Sequence, residues 1–447
     1  MKAHAKTEEQ ISFLMPGLRE QLDPRQELYR LAEAMPWEVF EKEMGGYYSQ
    51  EGRPAKPVRL MVGLLLLKQM YDLGDETAVA QWVQNPYWQF FCGESEFQWV
   101  MPCDPSDLVH FRHRIGEAGM ALIFGSSVFL HGEKAQEKEV VIDSTVQEKN
   151  VTYPTDTKLH RKIIVRCWKA ADRHGVKLRR RYGKEVRKCV LAQRGRRQAR
   201  TRQAAVRAAR KLKTIAGRLV RELERKLPEQ AKAAEAQNFA LYRRVLAQQR
   251  HDSGKVYSLH EPHIYCVSKG KEHKKYEFGT KASLAMTKSS GIIVAAVAHE
   301  ENEYDGHTLP EVLAWAEAFQ GERPKVGIVD RGYRGARWVG DTEILTPDKG
   351  PKNQSKRERQ AMKKRFRRRC AIEPVIGHLK SDYRMGRNCL RGFAGDQINL
   401  FLAAAAWNFR RWMRLIAAFW HLLHCLFQLV LSSLSSPALS TETYTCF

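Results

Sequence analysis

Val140, Val141 and Ile142 form a β-branched run that ends in an acid, Asp143. A continuous apolar run of this kind suits a strand covered on both faces, near the centre of a sheet. Further strand-like runs come only later, at residues 263–267, 277–285, 292–298 and 325–330. Between them and the first run lie residues 156–255, with about thirty Lys and Arg against eight Asp and Glu. There Leu212, Ile215, Leu219, Leu223 and Leu227 recur at helical spacing until Pro228 ends the pattern. A second helical run covers residues 231–249. The chain must therefore build a sheet whose first strand is cut off from its partners by a basic helical hairpin. Residues 308–319 read as an amphipathic helix opened by Pro310, placed between the last two strands. Strands, a helix, a strand and more helices make an α/β plan, a sheet covered by helices.

Either side of this region the texture is helical. Leu28, Leu31, Met35 and Val39 recur at helical spacing, and residues 60–67 are apolar all round, as in a buried helix. Asp104-Pro105-Ser106-Asp107 marks a helix start with Ser106 as its cap. A dense basic helix is expected over residues 355–369, continuing toward Glu373 and Lys380, and C-terminal helices begin near Ala403. The expected division is a helical domain at 1–135 for DNA binding or dimerisation, a main domain at 136–410 with its insertion at 156–255, and an apolar helix and tail at 411–447. Residues 415–431 are mostly apolar, but His421, His424 and Gln428 interrupt them and the stretch is shorter than a usual span of about 20 residues, so a buried or partner-facing helix is expected and no membrane. The tail after Ser432 reads as disordered.

Charge narrows the partner. The formal net charge is +25, and a polyanion neutralises such a charge with release of counterions. Nucleic acid is the first candidate and an anionic membrane surface the second. Nine Cys are scattered without a C-x-x-C pair, which gives a zinc finger no support and fits reduced thiols in a cytosol. The polar N-terminus lacks the apolar core of a secretory signal.

The acids suggest the chemistry. Asp330, like Asp143, directly follows an apolar run, and Glu373 is a lone acid in a strongly basic stretch. Carboxylates brought together from rigid elements hold hard divalent cations, and two such ions serve in-line displacement at a phosphodiester. If the two strands are neighbours, Asp143 and Asp330 converge.

Phe366-x-x-Arg369-x-x-x-Glu373-x-x-x-x-x-x-Lys380 resembles the Y-(2)-R-(3)-E-(6)-K signature of bacterial insertion-sequence DDE transposases, and within them most the insertion sequence five family. Ile142-Asp143-Ser144-Thr145, Asp330-Arg331-Gly332-Tyr333 and Ile372-Glu373-Pro374-Val375 fit in the same order. The resemblance runs from the helical N-terminal region to Trp407. It implies an RNase H-like catalytic core, with metal binding and catalysis by Asp143, Asp330 and Glu373 on two Mg²⁺ ions that Mn²⁺ can replace. It also implies phosphate contacts by Arg369 and Lys380, with endonuclease activity. The expected partners are terminal inverted repeats and target DNA, synapsed by a homodimer in the bacterial cytoplasm at the nucleoid. Arg331 is expected on DNA, and Tyr333 either stacks on a base or packs beneath its loop. His378 is expected to pack or face phosphate. Two departures stand out. Phe366 replaces the signature Tyr and keeps only its ring. Pro374 follows Glu373 and disfavours helical geometry before it, so Glu373 sits at a kink or a helix start. A catalytically inactive DNA-binding derivative of a transposase is the alternative.

Overall fold

The β-branched run lies at the middle of a sheet. A computed structural model describes residues 16–48, 51, 54–249, 251–268, 275–335, 337–347 and 355–434. The N-terminal region is α1 (Leu18–Gln21), α2 (Glu27–Ala34), α3 (Trp37–Gly45), α4 (Val58–Met70), α5 (Asp75–Trp82), α6 (Pro86–Phe91) and the longer α7 (Pro105–Phe129). The α7 cap falls on Asp104 rather than on Ser106: Asp104 accepts from the Ser106 amide, and Asp107 returns to the Asp104 amide. Pro105 then occupies the first turn, where its missing N–H costs nothing. β1 (Glu139–Glu148) follows, then α8 (Asp156–Arg173), α9 (Gly183–Ala192), α10 (Ala199–Lys226) and α11 (Glu229–Ala247). β2 (Tyr265–Val267), β3 (Glu277–Thr287), β4 (Ile293–His299), α12 (Leu309–Gln320), β5 (Val326–Ile328), β6 (Trp338–Val339) and β7 (Thr342–Leu345) complete the sheet. The chain then forms α13 (Lys356–Arg369), α14 (Ile372–Ser381) and α15 (Gly392–Leu434).

The strand order is β2-β3-β1-β5-β7-β6, with β4 also paired to β3. β3 lies antiparallel to β1, with Asp143 opposite Leu284. β5 lies parallel to β1, and β7 parallel to β5. Gly279 is required where β3 crosses the end of β1, because a Cβ there would collide with the Gln147 carbonyl. All five expected strands are found within a few residues of their expected bounds, the run at 263–267 as β2. β6 and β7 were not expected.

One apolar cluster runs through the N-terminal helices, the sheet, α12, α14 and α15. α15 crosses the boundary expected at residue 410 without a break, because Ala403–Ala406, Phe409 and Met413 are all buried against the same core. It ends at Leu434, and the remainder of the tail expected to be disordered lies outside the described residues. No helix among the described residues is long and apolar enough to cross a membrane. A second apolar cluster joins α8, α9, α10 and α11. The basic stretch is therefore more than a hairpin. Leu159, Ile163, Ile164, Cys167 and Ala171 give α8 a buried stripe against α10 that the surrounding charge concealed in the sequence.

A buried ionic network closes the molecule. Lys149 Nζ lies 2.6 Å from Asp396 Oδ1 and 3.5 Å from Glu261 Oε2, and all three side chains are almost fully buried. Asn388 Nδ2 donates to the same Asp396 oxygen at 2.6 Å, and His263 Nε2 meets the other at 3.0 Å. Breaking a buried pair leaves a desolvated charge unmatched, at a cost of several kcal/mol. Asp396→Ala should lower the unfolding free energy by about 3 kcal/mol, read from the midpoint of urea unfolding.

Two buried histidines make stability depend on pH. Burial first, and then the Lys281 cation, push His299 down to about 4. Burial first, reinforced by Lys213 and opposed by Asp156, does the same to His160, also to about 4. In the unfolded chain each takes a proton near pH 6.5. Between about 6.5 and 4 the unfolded chain therefore holds more protons, and stability falls as pH falls through that window. Urea unfolding at stepped pH should show a loss of about 2–3 kcal/mol per histidine by pH 4, and His299→Gln should remove about half of it.

Candidate active site

The parallel pairing of β1 with β5 sets the first two acids. Glu139 is opposite Val326, Val140 opposite Gly327 and Val141 opposite Ile328. Two residues further along the same register stand Asp143 and Asp330. Neighbouring strands lie about 5 Å apart, so the two acids stand at one level, Asp330 just past the end of β5 and Asp143, expected at a strand end, in the middle of β1, which runs on to Glu148 against β3. Asp143 Oδ1 accepts the Ser144 amide at 2.8 Å. Asp330 caps the short 3₁₀ turn Arg331–Tyr333, its Oδ1 accepting the Gly332 amide at 2.7 Å.

The third acid comes from the helices beyond. The continuous helix expected through Glu373 is broken at Cys370 and Ala371, which separate α13 from α14. Glu373 is the second residue of α14 and Pro374 the third. There the missing N–H of Pro374 falls among the amides that have no intrahelical partner in any case, which corresponds to the helix start rather than the kink. Ala371 and Cys370 keep helical backbone angles across the break, so Arg369 and Glu373 still meet. Arg369 Nη2 donates to Glu373 Oε1 at 3.1 Å, while its Nη1 stands 3.9 Å from Asp143 Oδ2. The guanidinium thus sits between the two carboxylates. α13 is pinned to the start of β1 by Arg365, which donates to Glu139 at 2.9 Å.

Tyr333 lies fully buried in the main core, beneath its loop, where a base has no access to it. Burial first, then the negative charges of Asp305, Asp143 and Asp330, hold its phenol well above its ordinary range. Lys380 faces Glu277 at 3.7 Å. Arg331 is exposed and donates to the Pro347 carbonyl at 3.3 Å. His378 packs on Trp407 and bonds Asp382 at 2.8 Å. Phe366 is half-buried against the core.

Sequence reasoning missed Asp305. It accepts from Ser144 Oγ at 2.9 Å and pairs with Lys281 Nζ at 3.0 Å. A Cβ on Gly332 would touch both Asp330 and Asp305, so this fourth carboxylate borders the same space. The only sequence signal is an acid ahead of a helix start, which reads as a cap.

Residues 17–114 match the family described as Transposase domain (DUF772), and residues 251–409 match the family described as Transposase DDE domain. A curated protein of Rhizobium meliloti, described as an uncharacterized protein ORF8 in the nfe locus, is 42% identical over 187 residues, which cover 41% of this chain and 89% of that protein. The chain belongs to the DDE transposases. No solved structure matches it.

DDE transposases act with divalent metal ions, and the donor set here suits them: three carboxylates, hard oxygen ligands of the kind such ions prefer. Among the described residues no three acid, imidazole or thiol groups lie close enough together to hold one ion. Asp143 in the middle of β1 and Asp330 just past β5 stand at one level. Glu373 is turned to Arg369, with its side chain 58% exposed. A bound cation would compete with Arg369 for both Asp143 and Glu373.

The burial of Tyr333 has a direct check. Tyr333→Ala should cost about 4 kcal/mol of stability, as large-to-small changes in cores do. Tyr333→Phe should stay within about 1 kcal/mol of the parent. A surface tyrosine would show almost no loss on truncation in the same urea titration.

Proposed function

We propose that this transposase, of the insertion sequence five type, binds the terminal inverted repeats of its element and catalyses strand cleavage and strand transfer. The observation that carries the reading is the placement of Asp143 and Asp330 at one level on adjacent parallel strands. Strand order supports an RNase H-like core: β4, β3 and β1 antiparallel, then β5 and β7 parallel to β1, with α12 crossing from β4 to β5. In this reading residues 136–410 form the catalytic domain and α8–α11 its insertion. Residues 1–135 bind DNA or pair two copies, and 411–447 extend the last helix.

Asp143, Asp330 and Glu373 would hold two Mg²⁺ ions, with Mn²⁺ as a substitute. Such ions, when bound, neutralise the phosphate and lower the pKa of the attacking water or hydroxyl. The chain's own residues do the rest. Gly332 and Ser144 amides fix the two aspartates, so their carboxylates need no reorientation. Arg369, released from the acids, suits a phosphate through its planar fork of donors. Lys380 and Arg331 add positive charge along the same approach, Lys380 two helical turns from Glu373 on one face of α14. Water attacks one strand to free a 3′-OH, and that hydroxyl then attacks target DNA, both as in-line displacements. A homodimer would synapse two ends, in the cytoplasm at the nucleoid.

A cleavage assay with Mg²⁺ on DNA carrying the sequences that flank the gene tests this. The parent chain should cut. Asp143→Asn and Glu373→Gln should each lose about a thousandfold or more in rate, several kcal/mol of transition-state stabilisation, while keeping DNA affinity. Cutting retained by both variants would sink the assignment. A parent that binds but never cuts would favour the inactive DNA-binding alternative.

A further inference from the structure

The helices between β1 and β2 enclose features that the three carboxylates do not use. Where α8 leaves β1, Tyr153, Tyr257, Tyr276 and Phe278 line a cavity of about 640 Å³ together with Lys255 and Arg196. The Tyr153 ring meets Phe278 edge-on at 5.4 Å, and Tyr257 meets the same ring at 5.3 Å. Tyr153 is 59% exposed and Tyr276 39%, which is unusual for large rings that the core has room to cover. Arg196 belongs to two further concavities. One, of about 300 Å³, is lined by Lys158 and Arg161, and the other, of about 650 Å³, by Arg194, Arg197 and Arg202. The three spaces all have Arg196 in their lining and so adjoin in one grooved face, aromatic at one end, where Lys255 pairs with Asp156 at 3.8 Å, and lined by Lys and Arg along the rest. All of these arginines are exposed. Among the described residues none of Arg161, Arg194, Arg196, Arg197 and Arg202 is held in an ion pair with an acid of the chain.

Resting on the DNA-cutting reading above, we propose that this groove binds an unpaired stretch of DNA, with one base inserted among Tyr153, Tyr257 and Phe278 and the flanking phosphates on Arg196, Arg197 and Arg202. Uncompensated guanidiniums along a groove are matched by a polyanion. The aromatic end selects among polyanions. The faces of bases in a duplex are covered by their neighbours, so ring faces gain from a nucleic acid only when a base is unstacked. A cavity of several hundred Å³ holds a group of that size. Position agrees: the Lys149 amide bonds the Phe278 carbonyl at 3.0 Å, which puts the cavity six residues along β1 from Asp143. At about 3.3 Å per residue that is roughly 20 Å, a reach that one strand spans after it leaves the carboxylates.

The test uses the full chain carrying Asp143→Asn, so that binding is read without turnover. The probes are a fluorescent oligo-dT of about 12 nucleotides, within the usual site size for single strands, and a duplex of equal length. Tyr153→Ala should weaken oligo-dT binding about tenfold and leave duplex binding unchanged. Tyr153→Phe should retain it. Arg196→Gln with Arg197→Gln should weaken oligo-dT binding and lower its salt dependence by about one unit of slope per lost phosphate contact. Oligo-dT affinity unchanged in Tyr153→Ala, or reduced equally on duplex, overturns the proposal. Because Tyr153 is exposed, its loss leaves the core intact, and the arginine variant provides an independent reading. Absence of cleavage by the parent chain counts against the function proposed above. Unchanged oligo-dT binding counts only against this groove.

Discussion

The charge on Lys149 is buried, and everything around it has to answer that fact. Asp396, Glu261, Asn388 and the Gly392 carbonyl converge on it or on its partner from two other parts of the chain. Lys149 stands where β1 hands over to α8. Glu261 stands where the chain returns from α11, and Asp396 opens α15. A buried ion pair adds little net stability against an apolar substitute but is very costly to leave half-made. The three segments therefore have to arrive together, and the strand bearing Asp143 is fixed at its far end by groups that enter the chain more than a hundred residues later.

How much of this was legible in the sequence depended on whether the signal was local. β1, β4 and β5 announced themselves because strands buried on both faces read as unbroken apolar runs, whereas β3 carries Thr280, Lys281 and Ser283 within its buried length. β6 and β7 did not, since strands of two and four residues carry no period to count. α10 showed through its leucines, while α8 hid its buried stripe in a field of Lys and Arg. Asp143 and Asp330 were each visible as an acid after an apolar run, but their juxtaposition belongs to strand pairing and could only be conditional. Asp305 was invisible because what marks it, Ser144 and Lys281, lies far off in sequence. For Tyr333 the sequence left stacking and packing equal, and burial favours packing.

Arg369 gives the proposed site an internal counter-ion. Asp143 and Glu373 would repel across the small space they share, and the guanidinium between them relieves that repulsion without a metal. The same side chain is the one best shaped to hold phosphate. In the proposed reading, a cation that took the two carboxylates would free the arginine for DNA, and metal and substrate would be linked through that one side chain.

The shared level of Asp143 and Asp330 has a consequence for how chains of this kind can change. Both acids are counted from a hydrogen-bonded ladder, two residues past its last pair, and not from one another along the backbone. Four helices with a core of their own can occupy the interval without disturbing that count, because a long connection adds little to the cost of bringing its ends together. One residue gained or lost within β1 would instead turn Asp143 to the opposite face of the sheet. The length of the interval is free to drift, and the phase of the strand is not.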